Sequence, residues 1–279
     1  MVFAKSAKKT VNRANKLSNE GDTIMIIRDR KMGCTVQLIV CKDKAEGSKT
    51  AAKILAECIK SKPNCVLGLA TGSTPLEMYK ELVKMHFENG LDFRKVTTFN
   101  LDEYYPINND DEQSYHTFME KNLFCGVNLN PANVHILNGT AKDFKAECKS
   151  FEKEIENAGG IDLQVLGIGA NGHIGFNEPA NALIDCTHLT KLSKSTIKAN
   201  SRFFKSENNV PKAALTMGIG TILYAKKIVL LSFGSAKKEA MKGVFGNEIT
   251  TQNPASFLKL HKNVVIICDE AALPEIDTF

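Results

Sequence analysis

No apolar run in this sequence approaches the ~20 residues needed to cross a bilayer, and no apolar core of a secretory signal lies near the N-terminus. A cytoplasmic protein is therefore expected. None of the eight cysteines belongs to a C-x-x-C pair, and Cys34, Cys41, Cys65 and Cys268 lie inside apolar runs. That usage argues against a disulfide framework or a zinc site and predicts reduced, buried thiols. His86, His116, His135, His188 and His261 are far apart with no ligand-type spacing, so a metal centre is not indicated. A Gly-x-x-x-x-Gly-Lys-Ser/Thr loop is missing, which removes the nucleoside triphosphate class. Internal repeats, low-complexity tracts and Pro/Gly/Ser linkers are missing too, and a single large domain follows.

What the sequence does hold is an ordinary globular composition: 279 residues, 43% apolar and 24% charged, enough for a full core. Its net charge of +5 is concentrated at one end, where the first 31 residues carry eight Lys/Arg against three acids. The body is balanced, so no basic face argues for nucleic acid. The basic start has no acid before Glu20, as a mitochondrial presequence would, but its Arg and Ser content is thin. Residues 1–33 are read as a basic, poorly ordered N-terminal extension.

From Cys34 onward, short β-branched runs alternate with segments of helical period. Strands are predicted near residues 35–41, 65–70, 96–101, 134–137, 163–167, 228–233 and 264–268, and helices over 45–60, 75–87, 114–124, 143–157 and 236–244. The alternation predicts an α/β fold: a three-layer, Rossmann-like open sheet of about seven mostly parallel strands with helices on both faces. Residues 34–279 form its one domain.

Parallel strands end at a common edge, and open α/β sheets bind ligands outside that edge. Four predicted strands run into polar or glycine-rich residues there: Thr71-Gly72-Ser73-Thr74-Pro75, Asp102-Glu103-Tyr104, Gly169-Ala170-Asn171-Gly172-His173 and Gly234-Ser235-Ala236-Lys237-Lys238. The first joins a strand to a helix marked by Pro75, with Thr74 or Ser73 as N-cap. Glycine, hydroxyls and free N–H groups at such a junction suit a phosphate. Lys237 and Lys238 fall in a first helical turn, where the dipole disfavours cations unless an anion binds. Gly167 to Gly172 matches the dinucleotide fingerprint in form, but His173-Ile174-Gly175-Phe176-Asn177-Glu178-Pro179 cannot open a helix and no acid ends a following strand. The stretch reads better as an acid–base loop. In extended backbone Asn171 and His173 would project the same way, with Glu178 returning to the imidazole. Alternation lets one of Asp102 and Glu103 face the crevice, and spacing leaves open which.

Together, Leu67 to Pro75, Thr98 to Tyr104, Gly167 to Pro179 and Asn200-Ser201-Arg202-Phe203-Phe204 resemble the glucosamine-6-phosphate deaminase (isomerase) family, from about Cys34 to Glu270. The resemblance implies conversion of glucosamine 6-phosphate and water to fructose 6-phosphate and ammonia, with no metal or organic cofactor, in a homo-oligomer. It assigns ring opening to His173 with Glu178 and Asn171, and proton transfer from C2 to C1 to Asp102. It places Thr71, Gly72, Ser73, Thr74, Arg202 and Lys237 around the phosphate, and a lid at about residues 182–210.

The family carries Asp in some members and Asn in others at the position of Asn171; an amide can orient His173 but cannot share its proton. The stretch 180–191 and the short C-terminus do not follow the pattern of relatives activated by N-acetylglucosamine 6-phosphate, so a non-allosteric enzyme is expected. A 6-phosphogluconolactonase-like hydrolase and a non-catalytic sugar-phosphate sensor are the competing readings. The Phe176-Asn177-Glu178-Pro179 ending favours deamination.

Overall fold

The computed structural model describes residues 23–29 and 34–275. The chain runs β1 (Thr23–Asp29), β2 (Cys34–Cys41), α1 (Lys44–Ser61), β3 (Val66–Leu69), α2 (Leu76–Asn89), β4 (Thr97–Asn100), β5 (Asp102–Tyr105), α3 (Tyr115–Asn122), β6 (Val134–His135) and α4 (Phe144–Asn157). It continues through β7 (Leu163–Gly167), β8 (His188–Lys191), α5 (Lys194–Asn200), β9 (Ala213–Thr216), α6 (Ile219–Leu223), β10 (Ile228–Ser232), α7 (Lys238–Phe245) and β11 (Asn263–Asp269).

Eight strands form the main sheet in the order β1-β2-β11-β10-β7-β3-β4-β6. Every pairing is parallel except β1 with β2. The seven parallel strands are those expected from the apolar runs. β3 and β10 are buried at every position, as strands covered by helices on both faces must be, which is why they read as continuous apolar runs rather than alternations. The helices start at short polar caps. Asp43, Ser114 and Asp143 accept backbone N–H groups of the first turns of α1, α3 and α4. In α4, Cys148, Phe151 and Ile155 recur at helical spacing on the buried face, and Phe151 meets Phe99 of β4 edge to face with centroids 5.5 Å apart.

Two features differ from the sequence reading. β1 lies within residues 23–29 of the stretch read as an extension; the rest of that stretch falls outside the described residues. A second, antiparallel sheet, β5-β9-β8, was not expected. Its strands are four residues long and mixed in polarity, and β5 pairs with a strand more than a hundred residues away, so no local period announces the sheet.

The strand order sets the site. From β3 the chain steps outward to β4 and β6, then returns to the other side of β3 as β7 and proceeds to β10 and β11. The order reverses between β3 and β7, the switch point at which open sheets leave a crevice. The four strands with polar exits, β10, β7, β3 and β4, are consecutive in the sheet. At Leu101 the chain passes from one sheet to the other: its N–H donates to Leu69 O, its carbonyl accepts from Met217 N, and Asp102 begins β5.

Candidate active site

The turn after β3 is built for close approach. Gly72 has φ of 87° with open space where a Cβ would stand, so glycine is required there by backbone conformation, not by crowding. The N-cap position of α2 is Pro75, which forms no side-chain cap, so Ser73 and Thr74 do not cap the helix as expected. Their hydroxyls are left to the crevice. Those of Thr71 and Thr74 make no hydrogen bond among the described residues, and Thr74 packs beside Gly167 at the end of β7. Two cations bond to this turn, and a third lies near one of them. Arg202 Nη2 donates to Ser73 Oγ at 3.3 Å, and Lys44 Nζ donates to Ser73 O at 2.7 Å. Lys237 is held below the usual lysine range by burial first and by the Arg202 charge second. Like charges gathered in a half-buried place are relieved by a bound anion. Lys238, by contrast, is exposed on α7 and takes no part. Lys44 escaped the sequence reading because it stands 29 residues from its partner at a helix start like any other.

After β7 the chain turns without entering a helix. Gly172 N donates to Gly169 O, Gly172 has φ of 86°, and an isolated bridge pairs Ile174 with Asn177. The dinucleotide match is thus a form without its fold. A Cβ on Gly169 would overlap the His173 imidazole, so the ring lies flat on that glycine. Asn171 and His173 meet Glu178 through this turn and not through the extended backbone expected of them. Asn171 Nδ2 donates to Glu178 Oε2 at 2.7 Å, while His173 Nδ1 lies 3.4 Å from the same oxygen. The imidazole contact is an ion pair in distance but is not aligned as a hydrogen bond, leaving the buried Nδ1 without one. Such contacts in unliganded sites tighten when substrate binds. Burial raises the Glu178 carboxyl, but His173, Thr196 and Asn171 more than offset it and leave it at about 2.

Asp102 and Glu103 divide their duties. The Glu103 carboxylate accepts the N–H groups of Tyr104, Tyr115 and His116, holding the first turn of α3. Burial still pushes it up to about 7. Asp102 makes no side-chain hydrogen bond among the described residues. Burial, with the Glu103 charge adding to it, pushes its carboxyl up to about 8. It stands opposite Thr216 in the β5–β9 pair, and Thr216 Oγ1 accepts the Phe176 N–H at 3.1 Å. That links the Asp102 strand to the histidine loop. Beside them Tyr104, Phe176 and Leu192 form a small apolar cluster with Tyr115 and Phe204 packed on it. Asn200 donates to Tyr104 Oη at 2.8 Å.

The crevice thus holds a cationic turn, a histidine–carboxylate pair and a desolvated carboxylate on adjoining strand exits. A family model described as glucosamine-6-phosphate isomerases/6-phosphogluconolactonase matches residues 44–267, a span that includes every one of these groups. The chain belongs to this family. Among relatives of the glucosamine-6-phosphate isomerase/6-phosphogluconolactonase family, a glucosamine-6-phosphate deaminase of Thermoanaerobacter sp. (strain X514) is 53% identical over 237 residues, 85% of this chain and 94% of that protein. One from Clostridium perfringens (strain 13 / Type A) is 52% identical over 237 residues, 85% of this chain and 98% of that protein. A solved structure of a monomeric glucosamine-6-phosphate deaminase superposes with a TM-score of 0.83 at 44% identity, covering 84% of this chain and 98% of the other.

Proposed function

We propose that this chain converts D-glucosamine 6-phosphate and water to D-fructose 6-phosphate and ammonia. The observation that carries the reading is Asp102: a buried carboxylate with no hydrogen-bond partner among the described residues, raised to about 8, next to the histidine loop. A base for carbon acids needs that weakly solvated, basic character. Thr71, Gly72, Ser73 and Thr74, with Arg202 and Lys237, hold the phosphate, Arg202 meeting its oxygens in a fork. His173, oriented by Glu178 and Asn171, moves the proton that opens the pyranose ring. Asp102 then takes the proton from C2 and returns it to C1, turning the 2-amino aldehyde into a 2-imine through an enolamine. Water adds to the imine carbon, and the C–N bond breaks to release ammonia and leave the ketone at C2.

Because Asn171 donates to Glu178 and has no proton to relay, Glu178 is the sole acidic partner of His173 in this scheme. Residues 182–210 act as the lid that shuts out water during the imine step. The enzyme is cytoplasmic and non-allosteric. It is a homo-oligomer in this reading, against the monomeric state of the relative at 44% identity; sedimentation velocity separates the two. The decisive assay supplies glucosamine 6-phosphate and, separately, galactosamine 6-phosphate. Release of ammonia and fructose 6-phosphate from the first is expected. Silence with it, or hydrolysis of 6-phosphogluconolactone that survives Asp102→Asn, sinks the reading.

A further inference from the structure

Glu178 is held from two sides. Its Oε2 accepts Asn171 and faces His173, whereas its Oε1 accepts Ser193 Oγ at 3.1 Å and the hydroxyl of Thr196. Both hydroxyls belong to the start of α5. Ser193 is the N-cap, its Oγ accepting the Thr196 N–H at 3.1 Å. A hydroxyl has one proton to give. That of Ser193 has three candidate acceptors, in Glu178, Ser195 and Thr196, while the Thr196 hydroxyl donates only to Glu178 among the described residues. Thr196 is also 5% exposed, sealed from water that could replace it. Nothing in the capping of α5 needs this hydroxyl. At the third helical position a Glu or Gln would bond back to the cap residue's own N–H. The threonine turns to the active-site loop instead, 18 residues away in sequence. The same short helix runs on through Ser201 to Arg202 at the phosphate turn.

We infer that Thr196, assisted by Ser193, is a positioning residue for the ring-opening pair, fixing one oxygen of Glu178 so that the other is presented to His173. This rests on the deaminase reading for its kinetic consequences, though not for its geometry. A carboxylate with both oxygens free could swing between Asn171 and His173. Anchored at Oε1, it offers His173 one orientation, and its ionised form is favoured by each donor.

Thr196→Val keeps the shape and removes the donor. In that variant kcat on glucosamine 6-phosphate is expected to fall about 10-fold with KM within about twofold, the signature of an interaction that matters after binding. The acid limb of kcat/KM moves to higher pH, because the Glu178 carboxyl loses a donor that helps hold it at about 2. Thr196→Ser, which restores a hydroxyl, returns both properties towards wild type. The carboxyl resonance of Glu178 in protein labelled with ¹³C-glutamate should show the same upward displacement in Thr196→Val without any turnover being measured. An active wild type with an unmoved Thr196→Val titration overturns the positioning role alone. Equal losses in the Ser and Val variants with the pH limb unchanged also overturn it, as a packing effect. A wild type that releases no ammonia instead sinks the deaminase reading and leaves the Glu178 titration to judge Thr196.

Discussion

At Asp102 the fold keeps a carboxyl where burial and the Glu103 charge both oppose its ionisation. The sign of the consequence is fixed by linkage. In the unfolded chain this group loses its proton near pH 4, whereas in the folded state it keeps it up to about 8. Stability from this residue is therefore full below about pH 4 and declines as pH rises towards 8. Asp102→Asn, neutral throughout, should lower kcat about a thousandfold yet melt a few degrees above wild type at pH 8, with the difference vanishing near pH 4. Calorimetry at the two pH values checks it, and a variant that melts lower at both refutes it. The residues show where reading a sequence stops. Spacing alone does not separate Asp102 from Glu103, because the three backbone donors that engage Glu103, two of them from α3, are set by the fold and not by strand alternation. Asn171 and His173 were legible as a pair with Glu178, but the left-handed Gly172, and not strand alternation, brings them together. Thr196 and Lys44 carry no local signal, since their partners come from elsewhere in the chain.

At the level of elements, the histidine loop is precise because it is glycine-rich for two different reasons. Gly172 supplies a backbone angle, whereas Gly169 supplies contact with the His173 ring and has no unusual φ of its own. Gly169→Ala therefore tests ring placement with little backbone strain. The added methyl has nowhere to go but into the imidazole, and displacing a catalytic ring by about 1 Å costs on the order of 10²-fold in rate. That loss should fall on kcat, with the melting temperature within a few degrees of wild type; unchanged kcat would mean that the ring is not held where the loop puts it. Other elements are tethered in ways the sequence hides. Glu152 of α4 accepts Thr187 N, the Thr187 hydroxyl and the Thr221 hydroxyl, pinning the approach to β8 and the middle of α6 to one carboxylate. The seven parallel strands were legible because strands buried on both faces must be continuously apolar. The short β5, β8 and β9 were not, because each is stabilised mainly by partners distant in sequence.

Across the whole molecule, chemistry and architecture are separated along the sheet. The strands whose exits form the site, β10, β7, β3 and β4, stand together at one side of the order, with β11 and β2 between them and β1. β1 pairs antiparallel over seven residues with β2, at the edge of the sheet away from those four strands. Removing residues 1–33 is therefore expected to leave kcat/KM for glucosamine 6-phosphate within about twofold of wild type. The same deletion strips β2 of a neighbour and exposes its unpaired N–H and C=O groups. An open edge of that kind templates association between chains, so the truncated protein should melt lower and aggregate sooner on concentration. Light scattering and a thermal melt beside the ammonia assay distinguish the outcomes. A loss of kcat/KM without loss of stability would place a function in the N-terminal residues themselves, while an unchanged melt would mean that β1 adds nothing to the sheet.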